Sequence, residues 1–338
     1  MLQYLASPGG DFWSFRHQQE NLHYTFCIKG HQVPDITEQI PILDLTGCLH
    51  LILRHKQKNT SYALWDGFQW QKKEFPLQHW DSLITHVDES NNLYLLIKNQ
   101  RKLNLVLGSK DRSWEVMELL PSHLSNEYNE QHYEPIFLTT KEGQLWLYMV
   151  DKLKSALTAW TLFPSTEQMR RERELWVNED LQIEGKWLSN NQLLLLLTEK
   201  ELKSSLYFLH INLTNFEPTL RIIGKRPLLG KTFYHLLEEA NNLMLIITGP
   251  RLSPAQSKFY YCFSFDSGGN WTTVKSSSLF APLALAPVTE INHIPGKRIA
   301  LDTIYGVPLH QPLILDYTEL AAILGKQSLI KKEFYYSK

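Results

Sequence analysis

Three histidines stand at comparable places in this chain: His86, His235 and His293 precede the apolar runs beginning at Leu93, Leu243 and Ile299 by 7, 8 and 6 residues. Imidazoles converging from three strand ends could hold a metal ion or move a proton near neutral pH. The offsets agree only roughly, so strand-end or turn histidines are the expectation, and no metal site is assigned. Carboxylates at similar places, Asp44, Asp88, Glu89, Glu142, Glu238 and Glu239, precede turns with Asn or Gly, where capping and solvation account for them. The pair Glu238–Glu239 would do acid–base work only if a further strand set a partner opposite it. No G-x-S-x-G, H-E-x-x-H, C-x-x-C, phosphate-binding loop or G-x-G-x-x-G occurs. No catalytic residue and no cofactor is therefore expected.

The densest local pattern is Ser264-Phe265-Asp266-Ser267-Gly268-Gly269-Asn270-Trp271, which fits S-x-D-x-G-x-x-W at Ser264, Asp266, Gly268 and Trp271. In such a turn the Ser and Asp oxygens cap backbone N–H groups, Gly takes the φ > 0 position, and Trp packs against a neighbouring sheet. This is a device for folding rather than for chemistry. Shorter versions occur at Asp66–Trp70 and Ser109–Trp114.

A repeat surrounds these turns. Short apolar runs follow turns of Asn, Gly or Lys throughout the chain, and Phe12, Leu49, Leu93, Leu145, Leu193, Leu243 and Ile299 are separated by 37, 44, 52, 48, 50 and 56 residues. That is the length of a four-stranded unit, with the anchor run second in each. The runs Ser82–Val87 and Pro135–Thr139 would be first, innermost strands. Seven anchors predict an all-β, seven-bladed propeller filling residues 1–338 as a single domain, or six blades if the first and last segments pair into one. Two stretches are compatible with helix, Gln168–Leu175 and Glu319–Leu324, and each is expected to be a turn of helix in a loop.

The octet resembles the Asp-box of the BNR-repeat propellers, a family that includes sialidases and sortilin-like receptors. With the two shorter versions the resemblance covers about three blades and implies architecture. In sialidases these boxes sit at the blade periphery and contribute no catalytic group. That activity needs three arginines on the substrate carboxylate, a Tyr polarised by Glu, and an Asp. The chain has 11 arginines, and its Phe15-Arg16-His17-Gln18 lacks the Ile-Pro of the sialidase F-R-I-P signature.

Charge supplies the remaining signal. The net charge is −1, yet the hairpins joining second to third strands hold 12 Lys or Arg against 3 acids. They include Arg54, Lys56, Lys58, Lys98, Arg101, Lys102, Lys152 and Lys154, all expected on the face opposite the Ser264–Trp271 turn. Acidic connections, Glu127, Glu130, Glu134, Glu179 and Asp180, share that face. Alternating basic and acidic arcs with a pI near 6.9 suit a protein partner better than nucleic acid, which rewards continuous positive potential. The three cysteines, Cys27, Cys48 and Cys262, do not suggest a disulfide framework, and neither a secretory signal nor a membrane-spanning run is seen, so a cytoplasmic, bacterial protein is expected. The sequence is thus read as a non-catalytic propeller that serves as a platform for a protein partner. The alternative is a propeller that binds or cleaves carbohydrate.

Overall fold

The computed structural model describes residues 2–6, 12–18, 23–27, 36–46, 49–55, 59–65, 70–99, 102–108, 114–121, 132–189, 191–201, 205–227, 232–249, 259–277, 280–282, 298–304 and 307–325. They form seven sheets that follow one another along the chain. The first contains β1 (Leu2–Ala6), β2 (Phe12–Gln18) and β3 (His23–Cys27). The second contains β4 (Ile36–Leu43), β5 (Leu49–His55), β6 (Thr60–Trp65) and β7 (Trp70–Glu74). In the third are β8 (Ser82–Val87), β9 (Leu93–Asn99), β10 (Lys102–Gly108) and β11 (Glu115–Glu118). A short strand, β12 (Leu120–Pro121), then joins the fourth sheet, made of β13 (Tyr133–Lys141), β14 (Gln144–Asp151), β15 (Ala156–Phe163) and β16 (Gln168–Val177). The fifth has β17 (Leu181–Ser189), β18 (Gln192–Glu199), β19 (Ser205–Asn212) and β20 (Pro218–Lys225). The sixth has β21 (Phe233–Glu239), β22 (Asn242–Thr248), β23 (Phe259–Ser264) and β24 (Lys275–Ser277). The seventh has β25 (Phe280–Pro282), β26 (Arg298–Ile304) and β27 (Val307–Asp316).

Every predicted anchor falls in the second strand of its sheet, and β3 pairs with β2 rather than with the Ile299 segment, so the sheets number seven and not six. First strands of neighbouring sheets touch, β8 with β13 and β17 with β21, which places them around a common axis. The architecture is a seven-bladed β-propeller.

The second strands show why the sequence chooses this arrangement. In β18 the run Leu193 to Leu197 is buried throughout: Leu193, Leu195 and Leu197 pack toward sheet four, while Leu194 and Leu196 pack toward sheet six. A strand covered on both faces reads as a continuous apolar run instead of an alternating one. Burying these five leucines contributes roughly 10 kcal/mol before entropy is counted. The same division recurs in β14, with Leu145, Leu147 and Met149 on one side and Tyr148 on the other, and in β22, with Leu243, Leu245 and Ile247 against Met244 and Ile246. The core is therefore a series of slabs between blades.

Two stretches depart from a plain four-stranded unit. Gln168–Leu175, expected as helix, belongs to β16. Its polar residues suit a strand far from the axis, where Arg170 pairs with Glu172 at 2.7 Å and Arg171 with Glu174 at 3.1 Å. Leu120 and Pro121 of β12 then pair with Gln168 and Met169, covering part of that edge from the chain leaving sheet three. After β27 the chain turns into a helix, α1 (residues 317–325). Its start is a reciprocal cap: the Glu319 N–H donates to Asp316 Oδ1 at 2.8 Å and the Asp316 N–H donates to Glu319 Oε2 at 3.0 Å. Leu320 and Leu324 of α1 pack with Leu237, Met244 and Phe259 of sheet six and with Ile299 and Leu315 of sheet seven.

Candidate functional site at the channel mouth

The turns from first to second strand differ in length, two residues after Lys141, Ser189 and Glu239 and five after Val87. A residue with positive φ occupies each: Asn91 (62°), Glu142 (51°), Asn191 (62°) and Ala240 (53°), in sheets three to six. The left-handed pair Glu142–Gly143 makes a two-residue hairpin of the twisted kind that suits flanking strands. Two positions before each left-handed residue stand Glu89, Thr140, Ser189 and Glu238. Four consecutive blades thus present a polar side chain near this turn, at register positions that differ from blade to blade.

These side chains surround a cavity of about 1040 Å³ at the mouth of the axis, completed by Asp316 and Tyr317 at the start of α1. Hydrogen bonds pass from blade to blade around its rim. His86 Nε2 lies 2.8 Å from Thr140 Oγ, Lys141 Nζ donates to the Leu213 carbonyl at 3.0 Å, the Ser189 hydroxyl donates to Glu238, and the Thr318 hydroxyl donates to Glu239. Glu238 and Glu239, adjacent on β21, are therefore directed to opposite neighbours, sheet five and α1. The opposed partner that acid–base use of this pair would require is not formed by either contact.

The mouth is strongly acidic. Glu89, Glu142, Glu238, Glu239 and Asp316 line it against Lys141, whose ammonium also lies 5.0 Å from the centre of the Phe216 ring. His86 adds no charge at neutral pH, because burial pushes its pKa down to about 4 against the opposing pull of Asp88. Burial pulls Asp88 upward, but hydrogen bonds from Asn92, Tyr94 and Ser90 outweigh it and hold the carboxyl below its ordinary range. The Tyr94 hydroxyl, half-buried and bonded to Asp88, is pushed up to about 12. Asp44 does the same work one blade earlier, accepting from the Thr46 N–H at 2.9 Å and lying 3.3 Å from His50 Nε2. Asp44 and Asp88 are thus turn caps, and Glu89, Glu142, Glu238 and Glu239 are mouth residues.

The histidines do not converge. His86 lines the mouth, His235 is buried within its sheet, and His293 lies outside the described residues. Among the described residues no group of three or more His, Cys, Asp or Glu side chains is arranged to hold a metal ion. Sequence reading missed Thr140, Ser189, Lys141, Tyr317 and Thr318. The signal that would have found the first two is their spacing from the turn residue, since nothing in residue type alone separates them from other strand hydroxyls.

The turn at Ser264 is well resolved in hydrogen bonds. Ser264 Oγ donates to Asp266 Oδ1 at 2.8 Å and accepts from the Gly268 N–H at 2.8 Å, and Asp266 accepts from the Asn270 N–H at 2.8 Å. Those bonds from Asn270, with the Ser264 hydroxyl, keep the Asp266 carboxyl below its ordinary range. Gly268 has φ of 93°, and a Cβ there would meet Phe208 of β19 at 2.8 Å. Trp271 packs its ring on Phe208 with centroids 4.8 Å apart, so one blade's turn is pressed against the preceding blade, although the indole is half-buried rather than fully so. Trp114 makes a similar contact from sheet three to sheet two, edge-on to Tyr62 at 5.0 Å. Residues 66–69 and 109–113 of the shorter versions lie outside the described residues.

The basic hairpins are mostly engaged within the propeller. Arg54 covers the Trp80 ring at 4.7 Å, Lys98 donates to the Tyr133 carbonyl at 2.9 Å, Lys102 pairs with Glu118 at 2.7 Å, and Lys152 pairs with Glu134. Lys154 is exposed; Lys56, Lys58 and Arg101 lie outside the described residues. The described cations Arg54, Lys98, Lys102, Lys152 and Lys154 stand at the opposite end of the strands from the mouth.

The sheets and their common axis define a β-propeller, and solved structures bear this out across nearly the whole chain. An ulvan lyase of polysaccharide lyase family PL25 is 10% identical, with a TM-score of 0.51 over 95% of this chain and 92% of that one. A protein from Lactobacillus plantarum is 12% identical, with a TM-score of 0.52 over 89% of each chain. Likeness at this identity is a likeness of fold. No family model matches the sequence, and no curated protein matches it.

Proposed function

We propose that this propeller binds carbohydrate, and that the mouth takes an uncharged saccharide. The observation that carries the reading is the lining: carboxylates from three blades and α1, with hydroxyls from Thr140, Ser189 and Thr214, in a cavity of about 1040 Å³. Such groups accept and donate hydrogen bonds to sugar hydroxyls, whereas an anionic ligand would meet like charge. The ulvan lyase shares the fold, and its name denotes action on a polysaccharide. Because Glu238 and Glu239 diverge, the reading is one of binding without cleavage.

A protein partner at the basic hairpins is the weaker reading, since four of their described cations already have partners inside the chain. Titration calorimetry with neutral and with uronate-bearing oligosaccharides separates the possibilities. A neutral oligosaccharide should bind, and Glu238→Gln and Thr140→Val should each weaken it about tenfold, the equivalent of one lost hydrogen bond to a charged or polar group. Binding confined to uronates, or binding that both substitutions leave unchanged, would overturn the proposal.

A further inference from the structure

At the other end of the same strands, between sheets four and five, lies a second cavity of about 410 Å³. Its walls are mainly apolar, Ile136, Leu157, Trp176, Leu181, Ile183 and Leu195 being among the lining residues. The ammonium of Lys186 lies among them. Two strand irregularities create this place: β13 bulges at Ile136 and β17 bulges at Glu184. Bulges re-aim groups that a regular ladder would occupy, and here the Ile136 carbonyl is turned to accept from Lys186 Nζ at 3.2 Å.

Charge at this cavity is not balanced. Of the two carboxylates near Lys186, Glu134 pairs with Lys152 and Glu184 accepts from Gln182 at 2.9 Å and Thr198 at 3.0 Å. Lys200 at the rim donates to Ser155 at 2.5 Å. Among the described residues no carboxylate forms an ion pair with Lys186, whose remaining neighbour is the face of Phe137 at 5.8 Å. An ammonium held against apolar walls with one acceptor has unused donors.

We propose that this cavity binds a small amphipathic carboxylate, its apolar body between Trp176 and the leucines and its carboxylate on Lys186 Nζ. The cavity is at the lower end of the size range of small-molecule sites, with a few placed polar groups in a mainly apolar lining. Burial also lowers the Lys186 pKa to about 8, with Glu134 opposing, so the amine is charged at neutral pH and loses its charge over a range that can be reached without denaturing the protein.

The test is a calorimetric or NMR titration with octanoate, octanol and octylammonium on the whole protein. Octanoate should bind at least tenfold more tightly than octanol, and octylammonium should not bind. Lys186→Met, which keeps the length and removes the charge, should bring octanoate to the level of octanol. If that variant does not fold, the pH profile of the wild type serves: octanoate affinity should fall above pH 8 while octanol affinity stays level, the other charged groups lining the cavity being Glu134, Glu184, Lys152 and Lys200. Equal binding of octanoate and octanol, no binding of octanoate, or a flat pH profile overturns the proposal. Saccharide binding at the mouth is independent of each of these outcomes.

Discussion

His235 makes acid stability a measurable property of a single buried side chain. It lies on β21, is 4% exposed, and its Nδ1 has no hydrogen-bond partner among the described residues. Burial lowers its pKa from 6.5 to about 4. The sign follows from proton uptake: between these values the unfolded chain binds a proton that the folded chain refuses, so stability is full above pH 6.5 and declines as pH falls toward 4. From pH 7 to pH 5 the unfolded imidazole becomes almost fully charged while the folded one stays neutral, which amounts to about 2 kcal/mol lost at this residue. Urea unfolding at pH 7, 6 and 5, followed by tryptophan fluorescence, should show this in the wild type. His235→Leu cannot titrate and leaves no orphaned nitrogen, so its loss over the same interval should be smaller by about 2 kcal/mol, with stability at pH 7 held or raised. If His235→Leu and the wild type lose stability in parallel, or if the His235 imidazole titrates near 6.5 by NMR, the reasoning fails.

Other substitutions probe separate features. Trp271→Ala removes the half-buried indole that rests on Phe208, and should lower unfolding stability by about 2 kcal/mol, less than a fully buried Trp would. Ala240, at φ of 53°, is a poor occupant of a left-handed turn, so Ala240→Asn should raise stability by about 1 kcal/mol in the same assay. Glu319→Ala removes half of the reciprocal cap on α1 and should cost about 1 kcal/mol, with a loss of helical circular dichroism if the helix frays. Reversal of Lys56, Arg101 and Lys154 to Glu tests steering of an acidic protein partner: it should slow that partner's association at low salt with the melting temperature nearly unchanged.

The repeat was legible because second strands are buried on both faces. Runs such as Leu193 to Leu197 have no other use in a chain of this length, and each anchor therefore landed within its strand. Gln168–Leu175 was opaque for the opposite reason: an outer strand can carry charge on both faces, and its partner β12 is a two-residue piece with no pattern of its own. At the mouth, the carboxylates Glu89, Glu142, Glu238 and Glu239 were marked by their turns. Thr140 and Ser189 were not, because a hydroxyl beside a turn looks like a cap until the blades are set side by side. For the basic hairpins, formal charge alone does not show that Arg54 lies on Trp80 or that Lys98 reaches across to the next sheet.

Blades one and seven share no ladder: β1–β3 pair among themselves, and so do β25–β27. Among the described residues no backbone ladder therefore crosses from the last sheet to the first. A ring sewn shut by a strand must tear as a whole, but this one is energetically a row with two ends. Amide exchange should accordingly slow in steps from both terminal sheets toward sheets four and five, and opening at the seam would widen the channel without breaking a single pair within a sheet.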